Sequence, residues 1–380
     1  MTRTFVHQYE PANESPAGDE VELTIQEIEA AGYQEILQTP GARLTSWSIL
    51  DALLQDGVVP FIFKQPLGIA REVKVAASGL FGRFIARAYL TRYKGLSFYG
   101  HLGTRKITLD SKQVLEIARK QNGDLPDWVA CTAGLQDLTV AEAKGCHDAG
   151  GPKMRLEHAW KQVQRVDILA NGKRLAVKRF AIVTRWASAV DGAKTPIIAV
   201  RDPVDPGDPD APNKLDEVAV GLARLHVADL LEPLGFEPLA DAIRSLLSRR
   251  RLRPRDKVPI GSSRIGAALT ELREIRPRRV LGDWQGANYD GAGLIGSMLT
   301  RSGPLPRGDI PTSAIQSLRE LDLRPTFVGI EREIIEAIIR GDPNEIRKVT
   351  QRSRRSEDRD ISTDPSGSWL VHVGERVNVR

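Results

Sequence analysis

Apolar and polar positions along the chain fall into stretches of period two and of period 3.6, the signatures of strand and helix. In REVKVAASGLFGRFIARAYLTRYKGLSFYGHLG, Arg71 to Gly103, Val73 and Val75 alternate with Glu72 and Lys74 and predict a half-buried strand that runs through Ala77. Ser78-Gly79 reads as a turn. Ser78 would cap a helix whose Leu80, Phe81, Phe84, Ile85, Ala88 and Tyr89 make one apolar face. Leu96 onward reads as the next strand. Upstream, residues 1–19 form a polar arm or loose first strand, and Val21 to Ala31 fits either strand or helix. Leu44 to Leu54 predicts a helix, and Val58 to Phe63 an apolar strand interrupted by Pro60.

Downstream, Ser111 to Lys120 predicts a helix with Val114, Leu115 and Ala118 as its apolar side. Residues 121–160 hold few periodic runs and read as an insertion or irregular lobe. Arg165 to Leu169, Leu175 to Trp186 and Thr195 to Val200 alternate well. Asn171-Gly172 and Asp191-Gly192 between them are hairpin turn signals. Asp202 to Pro212 carries four prolines and is a loop. Helices are predicted over Leu215 to Leu231, Leu239 to Ser248, Ile265 to Ile275 and Ile330 to Arg340; Arg347 to Asp360 reads as an exposed mixed-charge segment and Trp369 to Val379 as a last strand.

Charge sharpens this outline. On the helix after Ser78, Arg83, Arg87 and Lys94 fall within about 40° of one another, because each residue advances the wheel by roughly 100°. That stripe suits a polyanion. The strand-turn-helix junction would add outward-facing N–H groups and the helix dipole. A basic stripe is also the usual solvated face of an amphipathic helix. Lys173, Arg174, Lys178, Arg179, Arg185 and Lys194 crowd the predicted hairpins, Arg249 to Arg255 (RRRLRPR) ends a helix, and Gly282 to Gly296 holds five glycines with Trp284 and Tyr289. Glycines admit close backbone approach, and the aromatics could stack on bases.

Overall, 54 basic residues against 49 acidic give +5, so distribution matters more than the total. Two cysteines, Cys131 and Cys146, are too few for a disulfide framework or a structural zinc site. No run approaches the ~20 apolar residues of a membrane span, which predicts a cytoplasmic protein with no membrane partner. No HExxH, GxSxG, P-loop or strand-then-GxGxxG pattern is present, so no metal, cofactor or catalytic residue is expected.

VKVAASGLFGRFIAR resembles the strand-to-helix segment of the RAMP superfamily, and LSFYGHLGTRKITL, Leu96 to Leu109, resembles the aromatic-glycine stretch and basic strand of guide-RNA-binding backbone subunits of CRISPR effector complexes. Arg165-Val166-Asp167 is similar to a segment of the type IV version. The resemblance covers about a third of the chain. It implies an α+β fold with an RRM-like (ferredoxin-like) antiparallel sheet and a protruding β-hairpin. Residues 1–120 would begin the core, 121–164 form an insertion lobe, 165–214 the hairpin region and Pro/Asp loop, and 215–380 a helical part that returns to the core.

The implied function is to hold a guide RNA (crRNA) without catalysis. Copies would polymerise along the RNA, together with other effector subunits, and present it for pairing with target nucleic acid. The implied RNA-binding residues are Lys74, Ser78, Gly79, Arg83, Arg87, Lys94, Arg105 and Lys106, the hairpin residues Arg174, Lys178, Arg179 and Arg185, and Gly286 and Gly291 of the glycine-rich loop. Asp124, Asp127 and Asp137 lie where some such subunits carry a target-cutting Asp.

Two rivals stand beside it. Asp56 with Glu72-Val73-Lys74 has the form of a metal-dependent nuclease core, in which two carboxylates hold Mg²⁺ and a Lys faces the phosphate. A viral nucleocapsid or capsid protein would share the basic charge and the lack of a catalytic motif.

Overall fold

A computed structural model describes residues 2–10, 17–38, 58–63, 71–102, 106–110, 112, 114–147, 150–188, 195–247, 263–275, 294–300, 303–304, 326–353, 361–363 and 368–372. The fold is α+β. The strands are β1 (Thr2–Glu10), β2 (Glu20–Thr24), β3 (Ile62–Phe63), β4 (Leu96–His101), β5 (Lys106–Thr108), β6 (Leu115–Arg119), β7 (Trp128–Thr132), β8 (Thr139–Cys146), β9 (Val166–Ala170), β10 (Lys173–Arg174), β11 (Val177–Arg185), β12 (Ala187–Ser188), β13 (Ile197–Arg201), β14 (Val204–Asp205), β15 (Leu294–Thr300), β16 (Gly303–Pro304), β17 (Thr326–Glu331), β18 (Ile361–Thr363) and β19 (Ser368–His372). The helices are α1 (Ile25–Gln38), α2 (Arg71–Lys94), α3 (Lys153–Val163), α4 (Leu215–Leu231), α5 (Glu237–Arg244), α6 (Arg264–Glu274), α7 (Arg332–Arg340) and α8 (Pro343–Ser353).

The main sheet runs β2-β1-β13-β11-β8-β7-β4, with β14 pairing off β11. It is mixed: β1 with β13 and β11 with β8 are parallel neighbours, so it is not the antiparallel sheet expected. A smaller sheet, β10-β9-β6-β5, packs beside it, and a third, β16-β15-β17-β19-β18, is built from the C-terminal part. On one face of the main sheet, α1 and α2 bury Phe5, Phe84, Ile85, Tyr89, Tyr99, Trp128, Phe180 and Ile182. On the other, α4 and its neighbours cover Phe98, Val129 and Val140, while Leu156 and Ala159 of α3 cover Ala181, Val183 and Ile197.

Several elements depart from the sequence reading. Of the arm or first strand read over residues 1–19, the strand is present as β1, interior to the sheet, with Phe5 and Tyr9 pointing inward and Val6, Gln8 and Glu10 facing out. Edge strand β2 is blunted by Tyr93 of α2, whose hydroxyl accepts the Glu22 N–H at 2.9 Å and donates to the Glu22 carbonyl at 3.0 Å. The strand predicted before Ser78 is helix: α2 is continuous from Arg71 to Lys94. Val73 and Val75 fit period two, but extending an existing helix adds one bond per residue and no new nucleus. Ser78 is therefore no N-cap. Its hydroxyl instead meets His147 Nδ1 at 2.8 Å.

The helix expected over 111–120 is β6. Leu115 and Ile117 are buried in alternation, and the Asp110 carboxylate accepts the N–H groups of Val114 (2.9 Å) and Leu115 (3.1 Å) to make the turn from β5. The supposed insertion lobe holds β7, β8 and α3, at the heart of the main sheet. In β8 the small residues of TVAEAKGC let α2 approach unusually closely. A Cβ on Gly145 would lie 1.7 Å from the Ser78 carbonyl oxygen, and one on Gly82 would lie 2.6 Å from Gly145 Cα.

Asn171-Gly172 does make the β9–β10 hairpin, with φ of 50° and 77° as the turn requires. The pair β11–β13 does not protrude: β11 lies between β13 and β8, buried along most of its length. Leu215–Leu231 and Arg264–Glu274 match their predicted helices closely. The predicted helix over 44–54, the RRRLRPR run and most of the glycine-rich loop lie outside the described residues.

Candidate nucleic-acid interface

The predicted cationic stripe on α2 is taken up in ion pairs, with Arg87 buried and Arg83 and Lys94 half-buried. Helix α1 packs along α2, and its Glu35 accepts from Arg87 at 3.2 Å, receives the Trp128 indole N–H at 2.8 Å, and lies 3.2 Å from both Arg83 Nε and His101 Nε2. Arg87 is fully buried; it also donates to Gln34 (2.9 Å) and Gln38 (2.7 Å) and lies 4.3 Å from the Tyr99 ring centre. Arg83 donates to Asp127 at 2.5 Å. Burial opposes the charge on Glu35, but His101, Arg83 and Arg87 outweigh it and hold the carboxyl down at about 2. Lys94 pairs with Asp202 at 3.3 Å and lies over the Tyr9 and Phe180 rings.

The wheel places three cations together but does not show what lies opposite, and here carboxylates from other elements neutralise them. Lys74 and Gly79 lie within the same helix, Gly79 exposed with open space around its Cα. Their backbone N–H groups belong to the helix interior, so no turn presents them to a phosphate.

The hairpin cations are paired too. Arg179 is buried and donates to Asp167 (3.1 Å), Asp205 (2.8 Å) and the Val163 and Val166 carbonyls (2.6 and 2.8 Å), which ties β11 to the smaller sheet and to the Pro/Asp loop. Arg174 pairs with Asp208 at 2.9 Å, Lys178 with Asp137 at 3.3 Å, and Arg185 donates to the Thr195 carbonyl at 3.0 Å. Lys106 lies on β5; Arg105, Lys194, Gly286 and Gly291 lie outside the described residues.

The nuclease constellation is not formed as drawn. Glu72 and Lys74 are on a helix where the core needs a strand, and Asp56 lies outside the described residues. Of the three candidate aspartates, Asp124 is exposed, Asp137 pairs with Lys178 and Asp127 is locked between Arg83 and the Ala143 N–H, which donates to it at 2.8 Å. Among the described residues no three His, Cys, Asp or Glu side chains are placed to hold a metal ion, and no helix is long and apolar enough to cross a membrane. Cys131 and Cys146 are buried free thiols, and burial pushes Cys131 up.

Among the described residues, one surface that presents a group of cations is α3 and the residues just after it, KMRLEHAWKQVQR, 153–165. Leu156, Ala159, Gln162 and Val163 face the sheet, while Lys153, Arg155, His158 and Lys161 are exposed, as is Met154 at 80%. Arg165 follows, its guanidinium on the Asp124 carbonyl at 2.9 Å, and exposed Arg119 and Lys120 lie beside it across the Arg119–Val166 strand pair. Glu157 is the one carboxylate in this stretch and is taken by Arg201 at 2.9 Å. Trp160 is half-buried with the Arg201 guanidinium over it, 5.8 Å from the ring centre. Leu156, Ala159 and Val163 at i, i+3 and i+7 are the sequence signal for this helix, most of which lies in the stretch that otherwise reads as an irregular lobe.

No protein-family model matches the chain, and neither a curated protein nor a solved structure resembles it significantly.

Proposed function

We propose that the protein is a non-catalytic nucleic-acid-holding subunit that grips the phosphate backbone with the outer face of α3 and its extension to Arg165. The observation that carries this is the charge balance there: Lys153, Arg155, Lys161 and Arg165 against one carboxylate that already has a partner. Cations so arranged contact phosphates and release counterions, which gives binding without base reading. The aromatic that could stack, Trp160, is half-buried under Arg201, which again favours backbone contact.

The resemblance of Leu96 to Leu109 and of Arg165-Val166-Asp167 to guide-RNA-binding CRISPR subunits specifies the partner as a guide RNA, with further copies, other effector subunits and target nucleic acid assembling on it in the cytoplasm. In that reading sequence is read by base pairing, and the protein supplies positioning alone. An RRM-like core would alternate antiparallel neighbours, whereas two neighbouring pairs here are parallel. The proposal therefore rests on the surface and the sequence resemblance, not on sheet topology.

Purification from an expressing cell tests it. RNA of defined length should accompany the wild-type protein and be lost from Lys153→Glu/Lys161→Glu, whose changes are exposed and leave the buried pairs intact. A nucleic-acid-free wild-type protein would sink the reading.

A further inference from the structure

Arg83, Arg87, Arg174 and Arg179 each reach a carboxylate. Arg165 does not. Among the described residues its guanidinium has one hydrogen-bond partner, the Asp124 carbonyl, to which Nη1 donates at 2.9 Å, and no ion pair joins it to the exposed Asp124 carboxylate. A guanidinium carries five donors in a planar fork, so the edge formed by Nε and Nη2 is left for something other than the described protein.

The group is also fixed in place. Gly123 has a φ of 116° and brings the backbone so close that a Cβ there would lie 2.6 Å from Arg165 Nη1 and 2.7 Å from Cζ. The guanidinium thus rests on the backbone of Gly123 and Asp124, and the half-buried side chain has little freedom left to lose on meeting a ligand.

Its surroundings are cationic. β6 and β9 run antiparallel with Arg119 opposite Val166, and one step further the Lys120 N–H donates to the Arg165 carbonyl at 2.7 Å. Lys120 and Arg165 are therefore cross-strand neighbours, and like charges so placed repel. Asp167, two residues along β9, does not relieve them: buried Arg179 takes it at 3.1 Å, and it reaches Lys120 only at 3.8 Å. A fixed guanidinium, an open donor edge and an opposed pair of cations together call for an anion that offers two oxygens.

We propose that Arg165 is the phosphate fork of this surface. Its Nε and Nη2 take two oxygens of one RNA phosphodiester, Lys120 neutralises the same group, and Gly123 and Asp124 are positioning residues for Arg165. This rests on the nucleic-acid reading of α3 and adds a fixed point to it, because Lys153 and Lys161 act as point charges on flexible stems. The RNA strand is anchored where α3 gives way to β9.

Anisotropy with a fluorescein-labelled single-stranded RNA separates a fork from a charge. Arg165→Lys keeps the charge and loses the fork, so affinity should fall about tenfold at every salt concentration while the salt slope stays that of the wild type. Gly123→Ala should cost about as much, because it displaces the guanidinium, and nothing further in the Arg165→Lys background. An arginine that merely pins the 122–124 loop would move the thermal midpoint and leave affinity alone, and that result would overturn the proposal. Arg165→Lys decides the question even where Gly123→Ala does not fold. Wild-type affinity in Arg165→Lys, with Lys153→Gln/Lys161→Gln still weakened, would overturn the fork and leave α3 as the interface; a wild-type protein that binds no RNA would overturn both.

Discussion

Arg87 shows how one residue can look like a ligand contact and be a structural element. It is fully buried, and Glu35, Gln34, Gln38 and the face of Tyr99 take up its guanidinium. Removing it leaves the buried Glu35 with one cation fewer and takes away the donor to Gln34 and Gln38, which costs far more than an exposed ion pair is worth. Arg87→Ala should therefore destabilise the fold by about 3–5 kcal/mol, read by urea denaturation. A loss under about 1 kcal/mol would mean that Glu35 finds water or another donor. A consequence follows for any binding experiment: replacing Arg83 and Arg87 with acids tests folding before it tests RNA. Nothing in the linear pattern announced Glu35, because α1 brings it from 52 positions away in sequence.

Helix α2 and strand β8 decide each other's composition. The Gly82–Gly145 contact brings helix and strand backbones together, and the Ser78 carbonyl fills the space a Gly145 side chain would need. Gly145→Ala should force the two apart and cost about 3 kcal/mol, lowering the thermal midpoint, with Gly79→Ala as the control that gains about 1 kcal/mol, since its Cβ meets nothing and Ala favours the helix. This contact also explains the limits of sequence reading here. Ala, Thr and Gly in β8 carry no strong hydrophobic period, so a central strand looked irregular. Helices α4, apolar and buried over most of its surface, and α6, with one apolar face, are legible to within a residue or two. The start of α1 was legible but unread: Thr24 and Glu27 form a capping box, with the Glu27 N–H on Thr24 Oγ1 at 3.1 Å and the Thr24 N–H on Glu27 Oε2 at 2.6 Å.

At the scale of the whole molecule, cations divide into those that hold elements together and those that face solvent. Arg83, Arg87, Lys94, Arg174 and Arg179 belong to the first group, each joined to a carboxylate from another part of the chain. The outer face of α3 belongs to the second. An α+β class was legible because strand and helix periods both occur in the chain. The sheet order was not, since parallel pairs such as β1 with β13 join residues nearly 200 positions apart that no local pattern connects. The charge of +5 pointed to nucleic acid without saying where, and only burial separates a structural arginine from an available lysine.

The most direct test of the nucleic-acid assignment is the affinity of the protein for a fluorescein-labelled single-stranded RNA, by anisotropy across a series of salt concentrations, beside Lys153→Gln/Lys161→Gln. If α3 grips phosphates, affinity falls linearly with salt on a log–log plot and losing two contacts flattens the slope by about 1.4. The variant should also bind weaker at every salt concentration while keeping the wild-type thermal midpoint. An unchanged slope and affinity in a folded variant would contradict the account and remove α3 from the interface.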